Sequence, residues 1–151
     1  MSPMALKPIA YVQASWHTDI TDHCKQAFMT EVTAHGYRVD MFSAPGSLEI
    51  PLMAKKLAKT GRYAAVCASG LVVDGGIYRH EFVAQAVLQG IVQTSLETEV
   101  PVLSAVLTPH HFHEHAIHEA FFKDHMRTKG KELALACVSI IEQLSAVDAL
   151  A

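Results

Sequence analysis

Short apolar runs alternate with segments of helical periodicity along most of this 151-residue chain. Four of the runs have the length of strands, and the third, YAAVCASGLVV, is apolar throughout, as a strand covered on both faces should be. After each run, apolar residues recur about once per helical turn. The predicted strands are residues 9–14, 37–44, 63–73 and 100–107, and the predicted helices are 20–32, 48–59, 77–96 and 130–144.

This regular order of strand and helix predicts an α/β fold. Right-handed crossovers between successive strands give a parallel sheet with helices on both faces. We therefore expect a three-layer α/β/α sandwich around a four-stranded parallel sheet. Folds of this kind bind ligands outside the carboxyl ends of the strands. The loops expected to carry function are residues 15–17, 45–49, 73–80 and 108–118.

Length and composition narrow the class of protein. The chain has the size of one domain, so we expect residues 1–151 to form a single domain with a loose segment at 1–8. No apolar stretch approaches the ~20 residues of a membrane span, and no signal-peptide pattern opens the chain. We therefore expect a cytoplasmic protein. The net charge of −3 is spread without a basic stripe, which argues against nucleic acid as a partner.

The cysteines do not indicate a disulfide framework or a thiolate metal site. They are three in number, lie far apart and lack CxxC spacing. Free cysteine is among the most buried residue types, so we expect these side chains in the core. They are Cys24, Cys67 and Cys137.

Two side chains in the predicted loops have the chemistry of a ligand site. Trp16, the only tryptophan, follows the first predicted strand and could stack on a flat heterocycle or simply pack against the sheet. Glu49 lies between apolar residues at the start of a predicted helix. Its carboxylate could accept hydrogen bonds from ligand hydroxyls or only complement the helix dipole.

The stretch VVDGGIYRHEF, residues 72–82, joins the third strand to the next helix. Its glycines allow a ligand to approach main-chain N–H groups at a helix start, which is a way to bind an anion; a tight turn is the alternative. Neither GxGxxG nor a Walker lysine is present, which disfavours dinucleotides and triphosphates. Arg79 could bind an anion and His80 could transfer protons, or both could form surface salt bridges.

The histidine-rich run HHFHEHAIH, residues 110–118, does not predict a metal site. The segment lacks the second histidine of an HExxH motif, and no set of cysteines or carboxylates completes a tetrahedral site. Phosphate contact or polar packing is the expected role.

Several of these stretches together resemble the lumazine synthase family over nearly the whole chain, from residue 9 to about 144. PGSLEIP at 45–51 matches the family's PG(A/S)xEIP stretch, and GRY at 61–63 leads into the third strand. Residues 72–83 align without gaps to the family's phosphate loop, and VPV at 100–102 opens the fourth strand. Trp16-His17, VVDGGIYRHEF and LTPHHFHEH further resemble a second bacterial type, which is associated with decamers built from two pentamers.

The resemblance implies a flavodoxin-like sandwich and a transferase of riboflavin biosynthesis. Such an enzyme condenses 5-amino-6-ribitylamino-uracil with 3,4-dihydroxy-2-butanone 4-phosphate. The products are 6,7-dimethyl-8-ribityllumazine, phosphate and water, and neither an organic cofactor nor a metal is needed. The resemblance also implies a homo-oligomer, a pentamer or a dimer of pentamers, with sites between subunits.

Carried over by position, the resemblance assigns a role to each matching residue. Trp16 stacks on the pyrimidine, Ser47, Leu48 and Glu49 meet the pyrimidine substrate, and Leu71, Val72 and Val73 line its ring. The backbone amides of Gly76 and Ile77 bind phosphate. A neighbouring chain contributes Ser104, His118 and Lys129. The catalytic positions are Arg79 and His80.

Three departures from the family pattern leave alternatives open. Arg79 holds the usual position of the catalytic histidine, His118 that of a phosphate-binding arginine, and Ser104 that of a common aromatic residue. We hypothesise that Arg79 clamps the butanone phosphate and leaves proton transfer to His80, water or the phosphate itself. The alternatives are an oligomeric lumazine- or flavin-binding protein of the same fold with little catalytic activity, and a flavodoxin-like flavin carrier, which the bulky, acidic segment 15–19 disfavours.

Overall fold

The computed structural model describes residues 6–72, 80–107 and 116–151, without the side chains of residues 80, 107, 116–120 and 122. Strand and helix alternate in the predicted order. The strands are β1 Ile9–Ala14, β2 Val39–Ala44, β3 Ala65–Leu71 and β4 Val102–Leu107. The helices are α1 Thr18–Ala34, α2 Ile50–Lys59, α3 His80–Thr98 and α4 Ala116–Asp148, and a short 3-10 turn, Ser47–Glu49, precedes α2.

The strands form one parallel sheet in the order β2-β1-β3-β4. α1 and α4 pack on one face of this sheet, and α2 and α3 pack on the other. The predicted three-layer α/β/α sandwich with a four-stranded parallel sheet is therefore confirmed. In the described ranges, no helix is both long and apolar enough to cross a membrane.

Each face of the sheet carries its own apolar core because successive strand residues point to opposite faces. On one face, Tyr11 packs with Phe28 of α1, their ring centroids 4.9 Å apart. On the other face, Val12 packs with Ile50 of α2 and Val87 of α3. These side chains are fully buried, and each contributes about 1.5–3 kcal/mol through the hydrophobic effect.

The cysteines lie in the core, as predicted. All three are free and buried in the layer between the sheet and the helices α1 and α4. Burial raises the pKa of the Cys24 and Cys67 thiols, which keeps both protonated near neutral pH. They therefore act as small apolar side chains.

The last helix is longer than the sequence predicts. The expected helix starts at Gly130, but α4 already runs as a helix from Ala116. Gly130 lies inside α4, where that helix packs closely on α1. A Cβ atom added at Gly130 would overlap the carbonyl oxygen of Cys24 and lie 3.0 Å from the Cβ of Ala27. The glycine therefore marks a helix crossing and not a helix start.

A buried amide links the end of β1 to α1. Gln13 Nε2 donates to Asp22 Oδ1 at 2.8 Å, and this hydrogen bond lowers the pKa of Asp22, with a further contribution from Lys25. The folded-state pKa of Asp22 is thus below the unfolded value of about 3.9. The stabilisation is therefore complete above that value and lost as the pH falls through the folded pKa.

We expect Asp22→Asn to weaken the acid sensitivity of folding. The effect should stay below about 1 kcal/mol because the Asp22 side chain is 42% exposed and its charge is screened by solvent. Melting temperatures measured from pH 6 to pH 3 should fall less steeply for Asp22→Asn than for the wild type. Asp148→Asn, an exposed position near the end of α4, is the control and should follow the wild type. Parallel curves for wild type and Asp22→Asn would contradict the prediction.

Candidate active site

The carboxyl ends of β1, β2 and β3 meet at one edge of the sheet. Ser15 ties the first two ends together, since both its backbone N–H and its hydroxyl donate to the carbonyl oxygen of Ala44 at 2.9 Å. His17 then adopts a left-handed conformation with φ 57°, which costs about 1–2 kcal/mol for a residue with a side chain. Trp16 lies between these two constraints and is 68% exposed at the mouth of the sheet.

Gly46 is the point where the indole of Trp16 and the carboxylate of Glu49 come together. A Cβ atom added at Gly46 would lie 3.3 Å from Glu49 Oε1 and 3.8 Å from Trp16 Nε1. An exposed aromatic face and a carboxylate therefore lie on the same side of this loop. The roles predicted for these two side chains in binding a substrate stay predictions.

Ser47 lies against the end of the neighbouring strand β3. A Cβ atom added at Gly70 would lie 2.7 Å from Ser47 Oγ, so the serine hydroxyl occupies the space above the glycine. Leu71 and Val72 follow Gly70 directly and are 4% and 6% exposed. The structure thus brings the 3-10 turn, which includes the exposed Leu48, against Gly70, whereas Leu71 belongs to the core on the opposite face of the sheet.

Sequence reasoning did not single out Gly70. The residue lies in the apolar run YAAVCASGLVV, which predicts a buried strand. A glycine inside a strand pattern often marks the close approach of another backbone or side chain. That signal indicates a close contact at Gly70 but does not identify Ser47 as its partner.

Ser104 and Lys129 lie together in a different place. They line a groove of about 470 Å³ that crosses the edge strand β4 between α3 and α4. Lys129 Nζ lies 3.1 Å from Glu132 Oε2, which also lines the groove. None of the residues lining this groove belongs to the Trp16 group, which comprises Trp16, Gly46, Ser47 and Glu49. The predicted substrate contacts therefore fall into two separate sets within one chain.

Several predicted site residues lie outside the described part of the chain. Val73, Gly76, Ile77 and Arg79 belong to residues 73–79, which are not described. His80 is the first residue of α3, but its side chain is not described, and the same holds for His118 in the first turn of α4. The phosphate contacts and catalytic roles assigned to them remain predictions. Among the described residues, no group of three His, Cys, Asp or Glu side chains is placed to hold a metal ion.

Comparison with known proteins decides the family. The family model for 6,7-dimethyl-8-ribityllumazine synthase matches residues 7–145. A Rhodococcus erythropolis protein named 6,7-dimethyl-8-ribityllumazine synthase is 51% identical over 150 residues, which is 97% of each chain. The chain belongs to the lumazine synthase family.

Other members of the lumazine synthase family agree with the resemblance to a second bacterial type. A Bradyrhizobium diazoefficiens protein named 6,7-dimethyl-8-ribityllumazine synthase 2 is 54% identical over 92% of this chain and 86% of its own. A Pseudomonas syringae protein of the same name is 51% identical over 90% of this chain and 82% of its own. These matches compare residues 73–79 and 108–115 by sequence alone, so they give no atomic positions for that part of the site.

Proposed function

We propose that this lumazine synthase family member catalyses the condensation of 5-amino-6-ribitylamino-uracil with 3,4-dihydroxy-2-butanone 4-phosphate. The products are 6,7-dimethyl-8-ribityllumazine, inorganic phosphate and water. The observation that carries the proposal is the convergence of the Trp16 indole and the Glu49 carboxylate on Gly46, beside Ser47 at the end of β3. A planar ring that bears a chain of hydroxyls fits this combination of an aromatic face, a carboxylate and a hydroxyl.

The described residues would bind the pyrimidine substrate. Trp16 stacks on the ring, which contributes roughly 0.5–1.5 kcal/mol beyond area burial. Glu49 accepts hydrogen bonds from ribityl hydroxyls, and charge-assisted bonds of this kind are stronger than neutral ones. The family resemblance assigns Leu71 and Val72 to the lining of the ring, and both side chains are almost fully buried in the single chain.

The loop after β3 would bind the phosphorylated ketone. In this proposal the amides of Gly76 and Ile77 bind the phosphate at the start of α3, where the helix dipole favours an anion. Arg79 adds a fixed positive charge, and His80 transfers protons. An amine of the pyrimidine forms an imine with the ketone and releases water, phosphate leaves by elimination, and the second amine attacks the remaining carbonyl group and closes the ring with loss of a second water. Most of the catalysis comes from alignment, which is worth up to ~7–11 kcal/mol.

We further propose that the protein is a homo-oligomer with sites between subunits. Three apolar residues spaced four positions apart form an exposed stripe on α3. They are Leu88, Val92 and Leu96, with exposed fractions of 46%, 58% and 75%, respectively. An apolar stripe of this kind on a helix usually marks an interaction surface. Ser104 and Lys129 lie in the groove across β4, apart from the Trp16 group, so a neighbouring subunit is needed to add them to that site. A pentamer or a dimer of pentamers is proposed from the family resemblance, and a cytoplasmic location is proposed from the short, charge-interrupted apolar stretches of the sequence.

We expect Val92→Glu to disrupt the assembly, because a charge in a buried apolar contact is costly. Multi-angle light scattering should show smaller particles than for the wild type, and product formation should fall with the loss of shared sites. Val147→Glu is the matched control, because Val147 lies on α4 and has the same exposed fraction of 58%. Unchanged particle mass in Val92→Glu would exclude the α3 stripe from the interface.

The experiment that tests the function is a product assay with both substrates, in which the fluorescent lumazine is followed with time. Formation of lumazine and phosphate in equal amounts is the expected result. Trp16, the single tryptophan, reports binding independently through its fluorescence. Quenching by lumazine or flavin without product at high enzyme concentration would favour the non-catalytic binding protein.

A further inference from the structure

We propose that Gly70 is a positioning residue of this site: its missing side chain places the Ser47 hydroxyl where the pyrimidine substrate contacts it. The inference rests on the proposed function, because it assigns a partner to Ser47. It adds a residue that itself contacts no substrate. Gly70 acts only through the space that it leaves open at the end of β3.

The contact geometry shows that an added side chain would collide with Ser47 first. A Cβ atom at Gly70 would lie 2.7 Å from Ser47 Oγ, 3.3 Å from the Cβ of Ala14 and 3.8 Å from Cδ1 of Ile50. The 3.3 Å distance to Ala14 is tighter than an ordinary van der Waals contact, whereas the 3.8 Å distance to Ile50 is an ordinary one. The serine hydroxyl would have to move clear of the methyl group, whereas Ala14 would have to give by only a few tenths of an ångström.

The surroundings decide which group yields. Ala14 and Ile50 are 2% and 0% exposed and belong to the core between the sheet and the helices α2 and α3. Ser47 lies in the partly exposed 3-10 turn, so its side chain can rotate away or the turn can shift outward. A methyl group at Gly70 therefore displaces mainly the hydroxyl and requires only a small shift of Ala14 in the core.

Backbone conformation does not explain why position 70 is a glycine. Gly36 and Gly61 have positive φ angles, 90° and 73°, whereas Gly70 is an ordinary residue of β3, paired with Val106 of β4. An alanine would fit the strand backbone without strain. The lack of a Cβ atom matters chiefly for the approach of Ser47, as expected for a glycine inside a strand.

Three variants test the inference: Gly70→Ala, Ser47→Ala and the double variant. Steady-state kinetics with lumazine formation and titration of Trp16 fluorescence with the pyrimidine substrate give KM and Kd. Gly70→Ala and Ser47→Ala should each raise both constants roughly 2- to 13-fold, the range for loss of one neutral hydrogen bond. KM for the butanone phosphate should stay unchanged.

The double variant separates positioning from a general structural defect. Without the hydroxyl the closest contact of the methyl group is gone and only the 3.3 Å contact with the Cβ of Ala14 stays tight, so the double variant should bind the pyrimidine substrate as Ser47→Ala alone does. If Gly70→Ala does not fold, removing the Ser47 hydroxyl should restore folding by relieving the contact. A double variant that stays unfolded, or a further loss of affinity on adding Gly70→Ala to Ser47→Ala, would overturn the inference.

The wild type distinguishes failure of the inference from failure of the proposed function. If the wild type neither forms lumazine nor shows quenching of Trp16 by the pyrimidine substrate, the proposed function and the inference built on it both fail. If the wild type forms lumazine or shows quenching of Trp16, and Gly70→Ala has the same KM and Kd as the wild type, only the positioning role of Gly70 is refuted.

Discussion

Gly130→Ala is expected to lower the melting temperature by roughly 6–12 °C at fixed protein concentration. The substitution forces a methyl group into the carbonyl oxygen of Cys24, where α4 crosses α1. Because a backbone carbonyl cannot rotate away, the two helices must separate, and this costs about 3 kcal/mol, the upper part of the usual range for overpacking. For a domain of this size, each 1 kcal/mol shifts the melting temperature by roughly 2–4 °C.

A second substitution in α4 provides the control for helix propensity. Alanine is favoured over glycine by about 1 kcal/mol in a helix interior, so propensity alone would make Gly130→Ala stabilising. Ala136→Gly, at an exposed position of the same helix, measures that preference and should lower the melting temperature by roughly 2–4 °C. A rise in melting temperature for Gly130→Ala would show that the helix crossing has room for a side chain.

His80→Ala is expected to reduce kcat of the proposed reaction by about 10²-fold. This is the lower end of the ~10²- to 10⁴-fold range for general acid–base catalysis, since water and the departing phosphate can also move protons. His80 opens α3 directly after the predicted phosphate loop, at the end of the sheet that carries Trp16. Steady-state kinetics with both substrates saturating measure the effect.

Arg79→Ala distinguishes binding of the phosphate from transfer of protons. If Arg79 is an electrostatic clamp, its loss should mainly raise KM for the butanone phosphate and weaken inhibition by inorganic phosphate. His35→Ala is the control for His80→Ala, because it removes a histidine at the exposed end of α1. Unchanged kinetics in Arg79→Ala would remove Arg79 from the site, and an unchanged kcat in His80→Ala would leave proton transfer to water and phosphate.

Much of the fold follows from local patterns. Strand β1 was predicted at its observed bounds, and β2, β3 and β4 within two residues. β1 and β3 are recognisable because every residue in them is buried, and a strand covered on both faces must be apolar throughout. The ends are less predictable. Tyr63, for example, belongs to the apolar run but not to β3, and its hydroxyl donates to Asp40 at 2.9 Å.

Part of the site was also predictable, because parallel strands bring their carboxyl ends to one edge. The loops of Trp16 and Glu49 were expected to meet there, and the structure brings both side chains to Gly46. The contact between Ser47 and Gly70 was not predicted. It joins residues far apart in the chain and depends on how the 3-10 turn packs on β3.

The sequence by itself determined the order of strands and helices, the parallel three-layer sandwich and the family, because hydrophobic period and motif spacing are local properties. Only the tertiary structure decided that Gly130 lies within α4, that Gly70 makes room for Ser47, and that Ser104 and Lys129 share a groove apart from Trp16. The physical reason is the same in all three cases. A close contact depends on two surfaces that meet only in the folded chain, whereas a sequence pattern describes one segment at a time.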